Sequence, residues 1–172
     1  GEIALCILSA INIGKIRDVS DLKSLCDLSV RSLDELIDFQ GYPVEAAEIA
    51  TKARRSLGIG YIGLAHYLAK QGVKYEDPKA WELVHDLTEA FQYHLIESTV
   101  NLAKEKGACE YSSRTKYGQG ILPIDTYKKD VDELVPNNLK YDWDSLRALV
   151  KEHGVRNSTL SAQMPSESSS VV

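Results

Sequence analysis

Leu57-Gly58-Ile59-Gly60-Tyr61-Ile62-Gly63 is an apolar, glycine-spaced run that reads as a strand over Leu57 to Ile62, and Leu64 to Lys70 after it has helical composition. Its surroundings decide how such a strand is used. Val44 to Arg55, just ahead, reads as a short helix. Before that, Asp21 to Phe39 carries Leu22, Leu25, Leu28, Leu33, Leu36 and Ile37 mostly at three- and four-residue steps, an amphipathic helix with Ser20 as candidate N-cap and Gly41 and Pro43 closing it. Further back, Ile3 to Leu8 is apolar on both alternating faces, which suits a strand covered on both sides. Strands separated by helices of this length predict parallel pairing with right-handed crossovers, hence an α/β fold.

Downstream, Asp77-Pro78 opens the longest helix, which runs to about Lys106 and stops at Gly107. A polar segment with Gly118 and Gly120 follows, then the short apolar Ile121 to Ile124. Asp142 to His153 reads as a helix ended by Gly154, and Ser158 to Met164 as a last strand before Pro165. The tail is rich in serine, and no internal repeat occurs at a fixed period.

The totals bound the function. A chain of 172 residues that is 44% hydrophobic can bury one substantial core, so one domain or part of one is expected. Lys and Arg number 20 against 25 for Asp and Glu, a net charge of −5, which leaves no excess of positive charge for a nucleic-acid backbone. The stretch from Ile3 to Ile13 is broken by Ser9 and Asn12 and falls short of the roughly 20 apolar residues a bilayer span requires, so no membrane association is expected. The chain does not begin with Met, which suggests a start inside a longer protein. Cys6, Cys26 and Cys109 form no CxxC and leave one thiol odd, so a reducing cytoplasm is expected rather than a secreted disulfide framework.

Several features admit two readings. Gly58, Gly60 and Gly63 form a literal GxGxxG. In a dinucleotide-binding fold this would be the turn that brings backbone to a pyrophosphate, which gives an NAD-binding α/β oxidoreductase as the alternative function. The context argues for the other reading, glycines in a crowded strand approached by another backbone. Ala50 to Ser56 ahead is helical in composition, and Glu82, at the distance of the ribose-binding acid, lies within a helix. Cys6 is either a small packing hydrophobe or a redox thiol facing a pocket. The tail Pro165-Ser166-Glu167-Ser168-Ser169 is either a disordered serine-rich end or a hydroxyl-rich turn able to hold phosphate through hydroxyls and free backbone amides. His66, His85, His94 and His153 have no ligand-like spacing, and no metal site is expected. Arg156-Asn157, just before the last strand, reads as a structural turn or as part of a site.

Four collinear segments resemble the large, catalytic subunit of class I ribonucleotide reductases. They are Gly1-Glu-Ile-Ala-Leu-Cys6-Ile-Leu-Ser-Ala10, Leu57-Gly-Ile-Gly60, Gly120-Ile-Leu-Pro-Ile-Asp-Thr-Tyr-Lys-Lys129 and Arg156-Asn-Ser-Thr-Leu-Ser-Ala-Gln-Met-Pro165-Ser-Glu-Ser-Ser169. The likeness runs in order along the whole of residues 1 to 172. It implies that the chain is a partial barrel domain, much of the second half of a ten-stranded α/β barrel built from two antiparallel halves. In that setting the LGIG strand belongs to the barrel wall and binds no dinucleotide.

The resemblance also implies a chemistry. The family replaces the ribose 2′-hydroxyl of a nucleoside diphosphate with hydrogen through a protein thiyl radical, while a pair of barrel cysteines gives up two electrons and becomes a disulfide. Cys6 matches one member of that pair, and a thioredoxin or glutaredoxin would restore it. Ser166, Glu167, Ser168 and Ser169 match the loop that grips the substrate diphosphate, with Ser168 standing where a Thr is common. The resemblance implies further partners: the remaining segments of the large subunit, which would carry the thiyl cysteine and the second thiol, and a metal-containing small subunit that supplies the radical. No cofactor is expected on this segment, and ATP or deoxynucleotide effectors would bind elsewhere. Alone, the chain is expected to be inactive.

Overall fold

Parallel strands need a crossover between them, and two helices supply it here. In a computed structural model that describes residues 1–166, strand β1 (Ile7–Asn12) pairs in parallel with β2 (Leu57–Ile62), Ile7 beside Leu57 through Asn12 beside Ile62. Helices α1 (Asp21–Phe39) and α2 (Glu45–Arg54) lie between them in sequence. Helix α3 (Leu64–Lys70) follows β2 at once, and α4 (Pro78–Lys106) is the longest element. A single turn, α5 (Pro123–Thr126), and α6 (Trp143–His153) complete the helices named here.

The core forms where α1 lies along α4 and covers one face of the sheet. Leu22, Cys26, Val30, Leu33 and Ile37 make the buried stripe of α1 and meet Leu87, Ala90, Phe91, Leu95 and Val100 of α4. Of the stripe expected from the sequence, Leu22, Leu33 and Ile37 face the core, Leu25 is half-buried, and Leu28 and Leu36 turn outward, Cys26 and Val30 taking the inward positions. Each large aliphatic side chain so buried contributes about 1.5–3 kcal/mol. Arg31 ties the rims of the two helices with a bidentate pair to Glu105, both bonds 2.7 Å long. Helix α6 packs on α4 through Trp143, Leu146 and Val150. The approach to α6 is pinned by the buried carboxylate of Glu89, which accepts from the backbone N–H of Lys140 and Tyr141 and from the Trp143 indole.

Three expectations about the strands change. The first strand does not begin at Ile3: residues 3 to 6 join no ladder, and β1 opens at Ile7. Arg55, at φ 50° and ψ 48°, turns the chain sharply between α2 and β2, so no extended backbone precedes Leu57 to pair with Ile3 through Cys6. Nor is that strand covered on both sides. Ile7 and Ile11 face the helices, but Leu8 is 48% exposed and Ala10 and Asn12 lie on the same open face. The strand expected over Ser158 to Met164 is reduced to one parallel bridge, Ile59 with Ser161. Leu57 N–H donates to the Thr159 carbonyl and Ile59 N–H to that of Leu160, so one strand advances two residues while the other advances one. Beyond it the Gln163 side chain, not backbone, takes the Tyr61 N–H.

Candidate functional site

The open face of the sheet brings Cys6 beside β2 and the terminal segment. Small residues make it approachable: Ala10 on β1, Gly58 and Gly60 on β2, and Ala162 on the terminal segment alongside β2. A Cβ at Gly58 would lie 3.0 Å from Cys6 Sγ, 2.5 Å from a Leu8 methyl and 3.3 Å from Ala162 Cβ. The thiol therefore occupies the notch left by that glycine, with the terminal segment on its other side. A Cβ at Gly60 would stand 2.5 Å from the Ala162 carbonyl oxygen and 2.6 Å from the end of Met164. The terminal segment thus lies down onto β2 because Gly60 has no side chain.

This arrangement answers the GxGxxG question. Gly58 and Gly60 sit within β2 and accept close neighbours, and only Gly63, at φ 82°, lies in the turn to α3. A pyrophosphate fingerprint needs its glycines between strand and helix N-terminus, so the NAD-binding alternative has no loop to work with.

Cys6 stands just ahead of β1 and is exposed, whereas Cys26 and Cys109 are buried; all three thiols are free. Although the residue is exposed, partial desolvation of its sulfur in the crowded notch pushes the Cys6 thiol above its ordinary value. Deep burial pushes Cys26 up to about 12, and burial raises Cys109 as well. Cys6 is therefore an accessible thiol held mainly protonated at neutral pH, suited to exchange once deprotonated. The packing reading of Cys6 does not fit its exposure; Cys26 is the cysteine that acts as a core hydrophobe.

Of the tail residues, Ser166 ends the described segment, half-buried, downstream of Ala162 and Met164. Glu167, Ser168 and Ser169 lie outside the described residues. Among the described residues no group of three or more His, Cys, Asp or Glu side chains is set to hold a metal ion, and no helix is long and apolar enough to cross a membrane.

One cluster was read only in part from the sequence, through Arg156-Asn157, which the structure places in it. Asp34 of α1 is fully buried, and its carboxylate takes hydrogen bonds from Arg55 Nε at 2.6 Å, Asn157 Nδ2 at 2.9 Å and Arg156 Nε at 3.2 Å. Arg55 also donates to both oxygens of Asp38, at 2.9 and 2.8 Å. The Arg55 carbonyl and the Thr99 hydroxyl bond the Asn157 amide. The available signal was Asp34 itself, a carboxylate inside the apolar stripe between Val30 and Ile37.

Comparison with known proteins gives a consistent result. The family model for the ribonucleotide reductase barrel domain matches residues 1–172. Over 172 residues the chain is 59% identical to the ribonucleoside-diphosphate reductase subunit alpha of Haemophilus influenzae, covering 100% of this chain and 23% of that protein. It is 54% identical over 136 residues, 79% of this chain and 18% of the relative, to ribonucleoside-diphosphate reductase 1 subunit alpha of Escherichia coli. To the subunit alpha of Enterobacteria phage T4 it is 47% identical over 173 aligned residues, 99% of this chain and 22% of the relative. The chain thus spans about a quarter of the length of the curated relatives it matches.

Proposed function

The chain belongs to the ribonucleotide reductase barrel-domain family, and on that footing we propose that it forms part of the catalytic barrel of a ribonucleoside-diphosphate reductase, with Cys6 as one member of the dithiol that reduces the substrate. In the net reaction the ribose 2′-hydroxyl leaves as water and is replaced by hydrogen. The two electrons come from two thiols, which close to a disulfide. Cys6 is one thiol, and the second, like the thiyl radical that opens the reaction, is supplied by the rest of the large subunit. A metal-containing small subunit delivers the radical, a thioredoxin or glutaredoxin reduces the disulfide by exchange, and nucleotide effectors act outside this segment. The compartment in which this dithiol is maintained is the reducing cytoplasm.

The observation that carries this reading is the Gly58 notch, which holds an accessible thiol beside the segment that runs on to Ser166. Reduction needs a thiol and a diphosphate grip on one wall, and Ser166 with Glu167, Ser168 and Ser169 forms that grip.

The test is made in the full-length holoenzyme. Cys6→Ser abolishes thioredoxin-dependent multiple turnover of a nucleoside diphosphate, because serine cannot form the disulfide. Undiminished thioredoxin-dependent turnover in that variant refutes the role of Cys6. Saturable NAD(H) binding would revive the alternative oxidoreductase reading.

A further inference from the structure

We propose that the buried Asp34–Arg55–Asn157 cluster, with Thr99 behind it, is a positioning device that sets the terminal segment against Cys6, and so aligns the diphosphate end of the substrate with the reducing thiol. The inference rests on the reductase reading of Cys6 and Ser166.

The cluster sits where both partners of the open face begin. Arg55 directly precedes Ser56, whose carbonyl accepts from Ile7 N–H, so the conformation of Arg55 determines where β1 and Cys6 lie against β2. Asn157 directly precedes Ser158, whose N–H donates to the Arg54 carbonyl and whose hydroxyl lies 3.1 Å from that of Ser56. Asn157 Nδ2 bridges Asp34 Oδ1 and the Arg55 carbonyl, joining the starts of the two segments through one buried amide.

The parts are chosen for position rather than for solubility. Arg55 is 4% exposed and Asp34 and Asn157 are 0% exposed, yet the polar atoms of the three are engaged. Arg55 is the one non-glycine residue at positive φ among the described residues, and its bonds to Asp34 and Asp38 hold it there. Asn157 is clamped from its far side by Thr99 of α4, whose hydroxyl donates to Oδ1 and accepts from the Asn157 backbone N–H, both at 2.9 Å. Three partners, on α1, on α4 and at the junction of α2 with β2, therefore converge on one side-chain amide. The ladder downstream is irregular, with a single bridge, so it supplies little register of its own, and alignment depends on this anchor.

In the full-length holoenzyme, Asn157→Ala raises the KM for a nucleoside diphosphate by roughly tenfold, because a displaced terminal segment holds the diphosphate less well in ground state and transition state alike. A purely structural role would reduce the active fraction, and hence apparent kcat, and leave KM of the surviving enzyme unchanged. Thr99→Val keeps the shape and removes the clamp, so it moves KM in the same direction; Thr99→Ser restores the hydroxyl and returns KM toward the parent value. If Asn157→Ala does not fold, the Thr99 pair decides. An unchanged KM in Thr99→Val, with the parent enzyme active, overturns the positioning role and leaves the reductase reading intact. A parent holoenzyme that reduces no nucleoside diphosphate overturns both.

Discussion

Cys6 and Gly58 act as a unit, because the thiol sits in the space a side chain at 58 would fill. Two outcomes are expected at this scale. Iodoacetamide modifies Cys6 well before the buried Cys26 and Cys109, and the pH dependence of its rate has an inflection above that of a free cysteine, since desolvation disfavours the thiolate. Mass spectrometry of the alkylated chain checks both points, and equal labelling of Cys26 would contradict them. The two strand glycines differ in what an added methyl meets. At Gly58 it meets the end of the Leu8 side chain and the Cys6 sulfur, both able to move, whereas at Gly60 it meets the Ala162 carbonyl oxygen. Gly60→Ala is therefore the more destabilising, by roughly 1–3 kcal/mol, while Gly58→Ala chiefly displaces the thiol. Urea midpoints of the two variants rank them.

Element boundaries were legible wherever local chemistry set them. The span of α1, β2, α3, Pro78 opening α4, Gly107 closing it and Gly154 ending α6 all follow from periodicity and breakers read along the chain, although Leu28 and Leu36 of α1 face outward and Cys26 and Val30 inward. What misled was chemistry decided elsewhere. The apolar run at Ile3 looked like a strand, but pairing begins only where Arg55 has turned the chain to run alongside. The last strand looked regular, but Gln163 supplies a side-chain acceptor in place of backbone. Ser20, well placed to cap α1, makes no side-chain cap bond, whereas Asp142 accepts from Ser145 N–H at 3.0 Å. Ser20→Ala should accordingly leave the denaturation midpoint nearly unchanged, and Asp142→Ala should cost about 1 kcal/mol. Equal losses in the two would mean that Ser20 does cap α1. The site divides along the same line. Cys6 and the tail could be singled out as segments, whereas the Asp34 cluster joins positions distant in sequence and shows locally only as a carboxylate in an apolar stripe and as the Arg156-Asn157 pair.

For the whole molecule, carboxylates set the acid limit of stability. The Arg55 hydrogen bonds beside Asp38 hold its carboxyl below the usual range, and Arg147 does the same for Asp125, as does Arg17 for Asp21. With the folded value depressed, the unfolded chain takes up protons first, so the contribution is complete above the ordinary carboxylate range and is lost as pH falls through the depressed values. At the alkaline end Cys26 and Tyr117, both pushed up to about 12 by burial, stay neutral when folded after their unfolded counterparts ionise, so their contribution fades as pH rises toward that value. The urea midpoint should form a plateau from about pH 5 to about pH 8 and decline on both sides. A midpoint still climbing below pH 4 would contradict the acid assignment. Arg55 and Asp34 lie 21 residues apart, but Asn157 lies 123 residues beyond Asp34. A chain emerging from the ribosome can therefore join α1 to the start of β2 long before Asn157 can bolt the terminal segment to both. Assembly of these elements then has a built-in order, in which α1 and the start of β2 can join first and the segment after Asn157 is fastened to them later.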